Sequence, residues 1–247
     1  MREKEMYELG HTRSIRRADH LLLTPDTFVR APLPGMRNAT AIIHVAPAIG
    51  ARFTQLSVEF EQGGVLGPTT AQRFVYVIEG ELLIFGEQLH AGDYAYLPQD
   101  AHAAITSAGP ARAAVFEKDY QRLDGVSPPE QFIGREANVT PEPLEGCAGI
   151  EVRHLVPDTF AFDFAVNTMT YHPGASLPMV ESHVMEHGLL MLGGGGIYRL
   201  GESWYPVRSG DFIWMAPYCP QWFGALGTVP AKYLIYKDWN RSPLLSE

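Results

Sequence analysis

Glu181, His183 and His187 stand in the spacing E-x-H-x3-H within residues 180–188, and Gln221 is their distant partner. On a strand, residues two apart share a face, so Glu181 and His183 project together if this segment is a strand entering a turn. His187 rejoins them where the next strand begins. A carboxylate, two imidazoles and an amide oxygen make a mixed, rather hard ligand set. With two positions left open, that set suits octahedral Mn²⁺ or Fe²⁺ better than closed tetrahedral Zn²⁺. Open positions let a substrate bind the metal directly. A lone histidine would read as a surface or satisfied core residue. Three ligand-capable residues at this spacing, followed by Gly-rich strands, favour a metal. Glu186, beside His187, reads as solvated.

The elements that must carry this set are short strands. The chain of 247 residues has 24 Gly and 19 Pro and few long helix-period patterns, which favours a sandwich or barrel. Its 46% hydrophobic and 19% charged residues suit a soluble globular protein. A net charge of −9 with no basic stripe argues against nucleic acid as partner. An anionic substrate would then need a local cation to hold it. Two cysteines, Cys147 and Cys219, make no disulfide framework and fit a reducing compartment. The charged start Met1-Arg2-Glu3-Lys4-Glu5 has no apolar stretch behind it, and no run of about 18 apolar residues offers a membrane span. The expected location is the cytoplasm, with no membrane partner.

Two series of strands are expected. The first comprises 39–46, 51–60, 74–78, 81–85, 92–98 and 111–117, after a short strand at Leu21-Leu22-Leu23. The second comprises 162–171, 189–192, 197–200, 210–217 and 232–237. Prolines 128, 129, 141 and 143 mark the connection between them. The two series repeat one another. Ile78-Glu79-Gly80 corresponds to Leu192-Gly193-Gly194, and Gly92-Asp93-Tyr94 to Gly210-Asp211-Phe212, each followed by a proline. His102 and Gln221 each lie four residues beyond that proline. A glycine-ended apolar strand followed by a Gly-Asp-aromatic turn resembles the cupin barrel, so the fold class is all-β, a bicupin of two tandem jelly-roll-like barrels. The expected division is an arm over 1–20, a first barrel over 21–122, a linker over 123–149 and a second barrel over 150–247. Opposite Glu181, His183 and His187 the first barrel offers Gly67, Thr69 and Arg73, which cannot hold a metal. The first barrel therefore reads as structural, and His102 as a core or interface residue.

Glu181-x-His183-x3-His187-Gly188, Gly196-Ile197-Tyr198, Gln221 and Tyr233-x3-Lys237-Asp238, with Leu22–Asp26 and Tyr171–Ala175, resemble the (S)-ureidoglycine aminohydrolase family of purine catabolism. The likeness spans nearly the whole chain, and it includes that family's Glu at the first ligand position and Gln at the last. It implies Mn²⁺ in the second barrel (Fe²⁺ or another divalent metal being the alternative), bound by Glu181, His183, His187 and Gln221. It also implies release of ammonia from (S)-ureidoglycine to give (S)-ureidoglycolate. In that reading Glu181, Gln221, Tyr198, Tyr233 and Lys237 bind the substrate, while Lys237 and Glu181 carry the acid–base chemistry. The bland alternatives are core packing for the tyrosines and a solvated strand end for Lys237. Other functions compatible with the residues are a metal-dependent dioxygenase or isomerase acting on a small acid, a binding cupin without turnover, and a storage bicupin. Cupins commonly associate, so a homo-oligomer is expected.

Overall fold

A computed structural model describes residues 11–241. Residues 1–10 of the expected arm lie outside the described residues. In chain order the strands are β1 (Ile15–Arg16), β2 (His20–Leu23), β3 (Arg37–Val45), β4 (Thr54–Leu66), β5 (Gln72–Glu79), β6 (Glu81–Ile84), β7 (Glu87–His90), β8 (Asp93–Leu97), β9 (Ile105–Thr106) and β10 (Ala111–Lys118). There follow β11 (Phe132–Arg135), β12 (Glu142–Leu144), β13 (Cys147–His154), β14 (Phe164–Tyr171), β15 (His187–Gly193), β16 (Gly195–Leu200), β17 (Ser203–Arg208), β18 (Phe212–Met215), β19 (Gln221–Ala225) and β20 (Ala231–Asp238). Among the described residues the only helical elements are short 3₁₀ turns.

The first barrel is built on the order β11-β8-β5-β10-β4-β9-β6-β7, with β3 paired to β4. The second uses β1-β2-β18-β15-β20-β14-β13-β12, closed by the small sheet β17-β16-β19. The fold is thus the all-β bicupin. Its central strands read as continuous apolar runs because both faces are buried. Val75 and Val77 fill the first barrel, whereas Phe74 and Tyr76 on the opposite face join an aromatic core between the barrels. Ile213 and Met215 likewise fill the second barrel, while Phe212 and Trp214 enter the shared core. Phe53 stacks on Tyr236 there at 3.9 Å between ring centroids. Burying an aromatic side chain contributes about 2 kcal/mol or more, so this core binds the two barrels firmly.

The repeat is visible in the turns. Asp93 Oδ2 accepts the His90 N–H at 2.9 Å, and Asp211 Oδ2 accepts the Arg208 N–H at the same distance. Gly80 and Gly194 both have positive φ, and a Cβ on either would strike a proline carbonyl at 2.4 Å, that of Pro110 or of Pro230. Only glycine fits both conditions.

The chain crosses between the barrels more than the sequence division suggests. Leu21–Leu23, placed with the first barrel, pairs with β18 of the second, Leu22 lying opposite Ile213. Arg13 follows it, forming a double hydrogen bond to buried Asp211 at 2.6 and 2.8 Å. The proline-marked connection contributes β11 to the first sheet beside β8 and β12 to the second beside β13.

Candidate metal and substrate site

The segment before β15 is a loop with a single bridge at Glu181, so the condition of a strand entering a turn is met only at that residue. Its order comes from a two-way backbone bridge: Glu181 N–H donates to Gln221 O and Gln221 N–H to Glu181 O, both at 2.8 Å. Tyr218 N–H, on a left-handed residue, also donates to His183 O. These bonds zip residues 181–183 alongside 218–221, and so a residue forty positions away joins the Glu/His cluster. Strand β15 begins at His187, as the spacing requires.

Glu181 Oε2 and His183 Nε2 are 3.0 Å apart, and the rings of His183 and His187 lie 5.4 Å apart. Gln221 is buried, and its Oε1 accepts the Tyr198 hydroxyl at 3.1 Å. Burial holds the His187 imidazole well below its usual pKa, with Lys237 and His183 adding to the effect, so it stays neutral and able to ligate. Lys237 pairs with His187 across β20 and β15. Burial lowers its pKa, and the Glu181 carboxylate opposes that shift. The Lys237 ammonium lies 5.5 Å from the centre of the Trp239 ring. Tyr233 exchanges a hydroxyl–hydroxyl bond of 2.9 Å with Tyr171, and burial raises the pKa of both.

Glu181, His183, His187, Tyr198, Gln221, Tyr233 and Lys237 all line one cavity of about 380 Å³ in the second barrel. Asn167, Met169 and Tyr171 of β14 line it too, and residues 142–145 form part of its wall. The sequence does not single out Asn167 or Met169, because β14 reads as an ordinary strand. The alternation of Asn167, Met169 and Tyr171 on one face was the available signal.

Two expectations fail. Glu186 is buried, not solvated: Oε1 accepts the Arg52 N–H at 2.7 Å and Oε2 the Trp214 Nε1–H at 3.0 Å. Burial, with Asp238 adding repulsion, pushes its pKa up to about 7. His102 is exposed on a left-handed residue, so it is not a core residue. At the place in the first barrel that corresponds to His187 and Lys237, Arg73 pairs with Glu117. Arg73 is buried, forms an ion pair with Glu117 at 2.6 Å, and donates to Gly67 O at 3.0 Å. A permanent cation occupies that pocket, which suits structure rather than metal binding.

A second grouping of ligand-type atoms, Asp19, His20 and Cys219, includes none of these cavity residues. Both His20 nitrogens are already engaged, with Asp19 Oδ1 and the Tyr205 hydroxyl, each at 2.8 Å. Burial pushes the Cys219 thiol up to about 12. This grouping is a hydrogen-bonded anchor for β2.

Fold and site together define a two-barrel cupin with a cavity lined by carboxylate, imidazole and amide side chains in its second barrel. No protein-family model matches the chain. It is 40% identical over 245 residues to a probable (S)-ureidoglycine aminohydrolase of Oryza sativa, covering 96% of this chain and 78% of that protein. Against the (S)-ureidoglycine aminohydrolases of Arabidopsis thaliana and Escherichia coli it is 39% and 30% identical, covering 80% and 93% of each. The chain belongs to the (S)-ureidoglycine aminohydrolase family. Among solved structures, it superposes on the E. coli protein Ylba with a TM-score of 0.82 at 28% identity, covering 96% of this chain and 98% of that one. A glyoxylate-induced protein assigned in Pseudomonas aeruginosa gives 0.86 at 29% identity, covering 96% and 94%. Oxalate decarboxylase of Bacillus subtilis, at 12% identity and a TM-score of 0.70, shares the fold over 93% of this chain and 80% of that one.

Proposed function

We propose that this protein hydrolyses (S)-ureidoglycine to (S)-ureidoglycolate and ammonia in purine catabolism, using a divalent metal held by Glu181, His183, His187 and Gln221. The observation that carries the reading is the convergence of those four side chains and Lys237 on one cavity, in a chain of this family. The donors suit the metal: a neutral buried imidazole, a second imidazole, a carboxylate and an amide oxygen. Mn²⁺ is the first candidate, and oxalate decarboxylase of the same fold has Mn(II) centres. When bound, the metal supplies positive charge that fixes and polarises the anionic substrate.

The remaining chemistry belongs to the protein. The carbon–nitrogen bond to the amine breaks, the oxygen of water bonds to that carbon, and the amine leaves as ammonia after gaining a proton. In this reading Lys237, which lines the cavity, delivers that proton and takes one from the attacking water. Burial brings its ammonium closer to neutrality, which makes the exchange easier. Glu181 can serve as ligand and as a proton acceptor. The Tyr198 hydroxyl is directed at Gln221, so it orients that amide, and Tyr233 presents its hydroxyl together with Tyr171. A cytoplasmic homo-oligomer acting on a small molecule fits this reading.

The test is ammonia release from freshly prepared (S)-ureidoglycine before and after chelation, with Mn²⁺ restored. Uncatalysed decay is subtracted and product chirality followed. Metal-dependent, stereospecific release is expected, and release no faster than background would overturn the proposal.

A further inference from the structure

Asn167 is 1% exposed, lines the candidate cavity, and has no hydrogen-bond partner for its side-chain oxygen Oδ1. Leaving such a group unpaired inside a protein costs about 1–3 kcal/mol. Buried polar atoms are paired in the great majority of cases, so an exception on a cavity wall needs a reason.

The register supplies one. Asn167 of β14 pairs with Ile235 of β20, which puts Tyr233 and Lys237 at the two diagonal positions. Diagonal neighbours across an antiparallel pair are about 7–8 Å apart, within reach of one small molecule. All of these residues line the same cavity. From this arrangement we infer that Asn167 is the residue that recognises the ureido end of the substrate, an inference that rests on the function proposed above. A ureido group carries N–H donors beside a carbonyl acceptor. A carboxamide presents an acceptor and a donor side by side, so the two match as a doubly hydrogen-bonded pair whichever way the amide is turned. With the carboxylate and amine end at the metal ligands and Lys237, the ureido end extends along the wall to Asn167. A cavity built to bond that group rejects analogues lacking it, because their binding would leave the Asn167 amide buried and unpaired.

The test uses binding, so it does not depend on turnover. N-carbamoylglycine and N-acetylglycine differ only in a terminal amine against a methyl group. Their affinities for the Mn²⁺-loaded protein are measured by calorimetry with the native chain, N167L and N167D. The native protein is expected to prefer the carbamoyl compound by about tenfold or more, as one buried hydrogen bond allows. N167L should erase the preference without lowering the unfolding temperature, since it removes an unpaired polar group. N167D, which keeps an acceptor, should retain part of the preference. An equal preference in native and N167L proteins, or none in the native protein, overturns the assignment. Ammonia release by the native enzyme is measured separately, so failure of this inference is distinguishable from failure of the proposed reaction.

Discussion

Lys237 and His187 sit side by side on β20 and β15, one proposed for proton transfer and the other for the metal. The two roles separate experimentally. Glu181→Ala and His183→Ala are expected to fold and to lose bound metal on dialysis, because each removes one donor from a set of four. Full metal content in either variant would refute the ligand assignment. Lys237→Met should keep the metal and the fold, yet lower ammonia release by about 10²- to 10⁴-fold, the usual contribution of a positioned acid–base group. Loss of metal from Lys237→Met would instead give the lysine a structural part. Glu186 illustrates what residue type alone conceals. Its carboxylate is buried by an indole from β18 and a backbone N–H from the first barrel, neither of which is near in sequence.

Between residue and molecule stands the pairing of β5 with β10 and of β15 with β20, which places Arg73 beside Glu117 in one barrel and His187 beside Lys237 in the other. The same register therefore holds an ion pair in the first barrel and a candidate reactive pair in the second. Arg73→Leu strands the Glu117 carboxylate, which is only 23% exposed, and should destabilise the protein by about 3 kcal/mol in urea unfolding. Metal stoichiometry should not change. Loss of metal with unaltered stability would show that the first barrel takes part in binding. This correspondence was legible in the sequence, because Arg73 and His187 follow from aligning the glycine-ended strands and Gly-Asp turns. The central strands were legible too, each as an unbroken apolar run such as Phe74–Ile78. Asn167 was not, because its significance depends on which strand lies opposite it. The loop form of the segment carrying Glu181 was not legible, since what orders it is the bridge to Gln221, and local spacing says nothing about a partner forty residues on. The crossing of Leu21–Leu23 into the second sheet was hidden for the same reason.

At the scale of the whole molecule, the two barrels meet through aromatic packing that also encloses His44. Its ring stacks on Phe212 of the second barrel at 4.8 Å and meets Phe28 edge-on at 4.9 Å. Nε2 contacts Ser57 Oγ at 2.8 Å, while Nδ1 has no partner. Burial pushes the pKa of His44 down to about 3. The sign follows from which state binds protons. Below about pH 6.5 the unfolded chain protonates this histidine and the folded protein does not, so stability falls as pH drops from 6.5 towards 3. The loss is about 1.4 kcal/mol for each pH unit across that window. His44→Phe should cost about 1 kcal/mol at pH 7.5, through the Ser57 hydroxyl left unpaired. Its unfolding free energy should then decline less steeply with acid, so that the variant overtakes the native protein by about pH 5. Subtracting the two unfolding curves, measured in urea between pH 7.5 and 4.5, cancels every other titrating group and isolates His44. A difference that stays constant over the range would mean that the ring is protonated in the fold, and that the barrel junction tolerates a charge its aromatic lining should exclude.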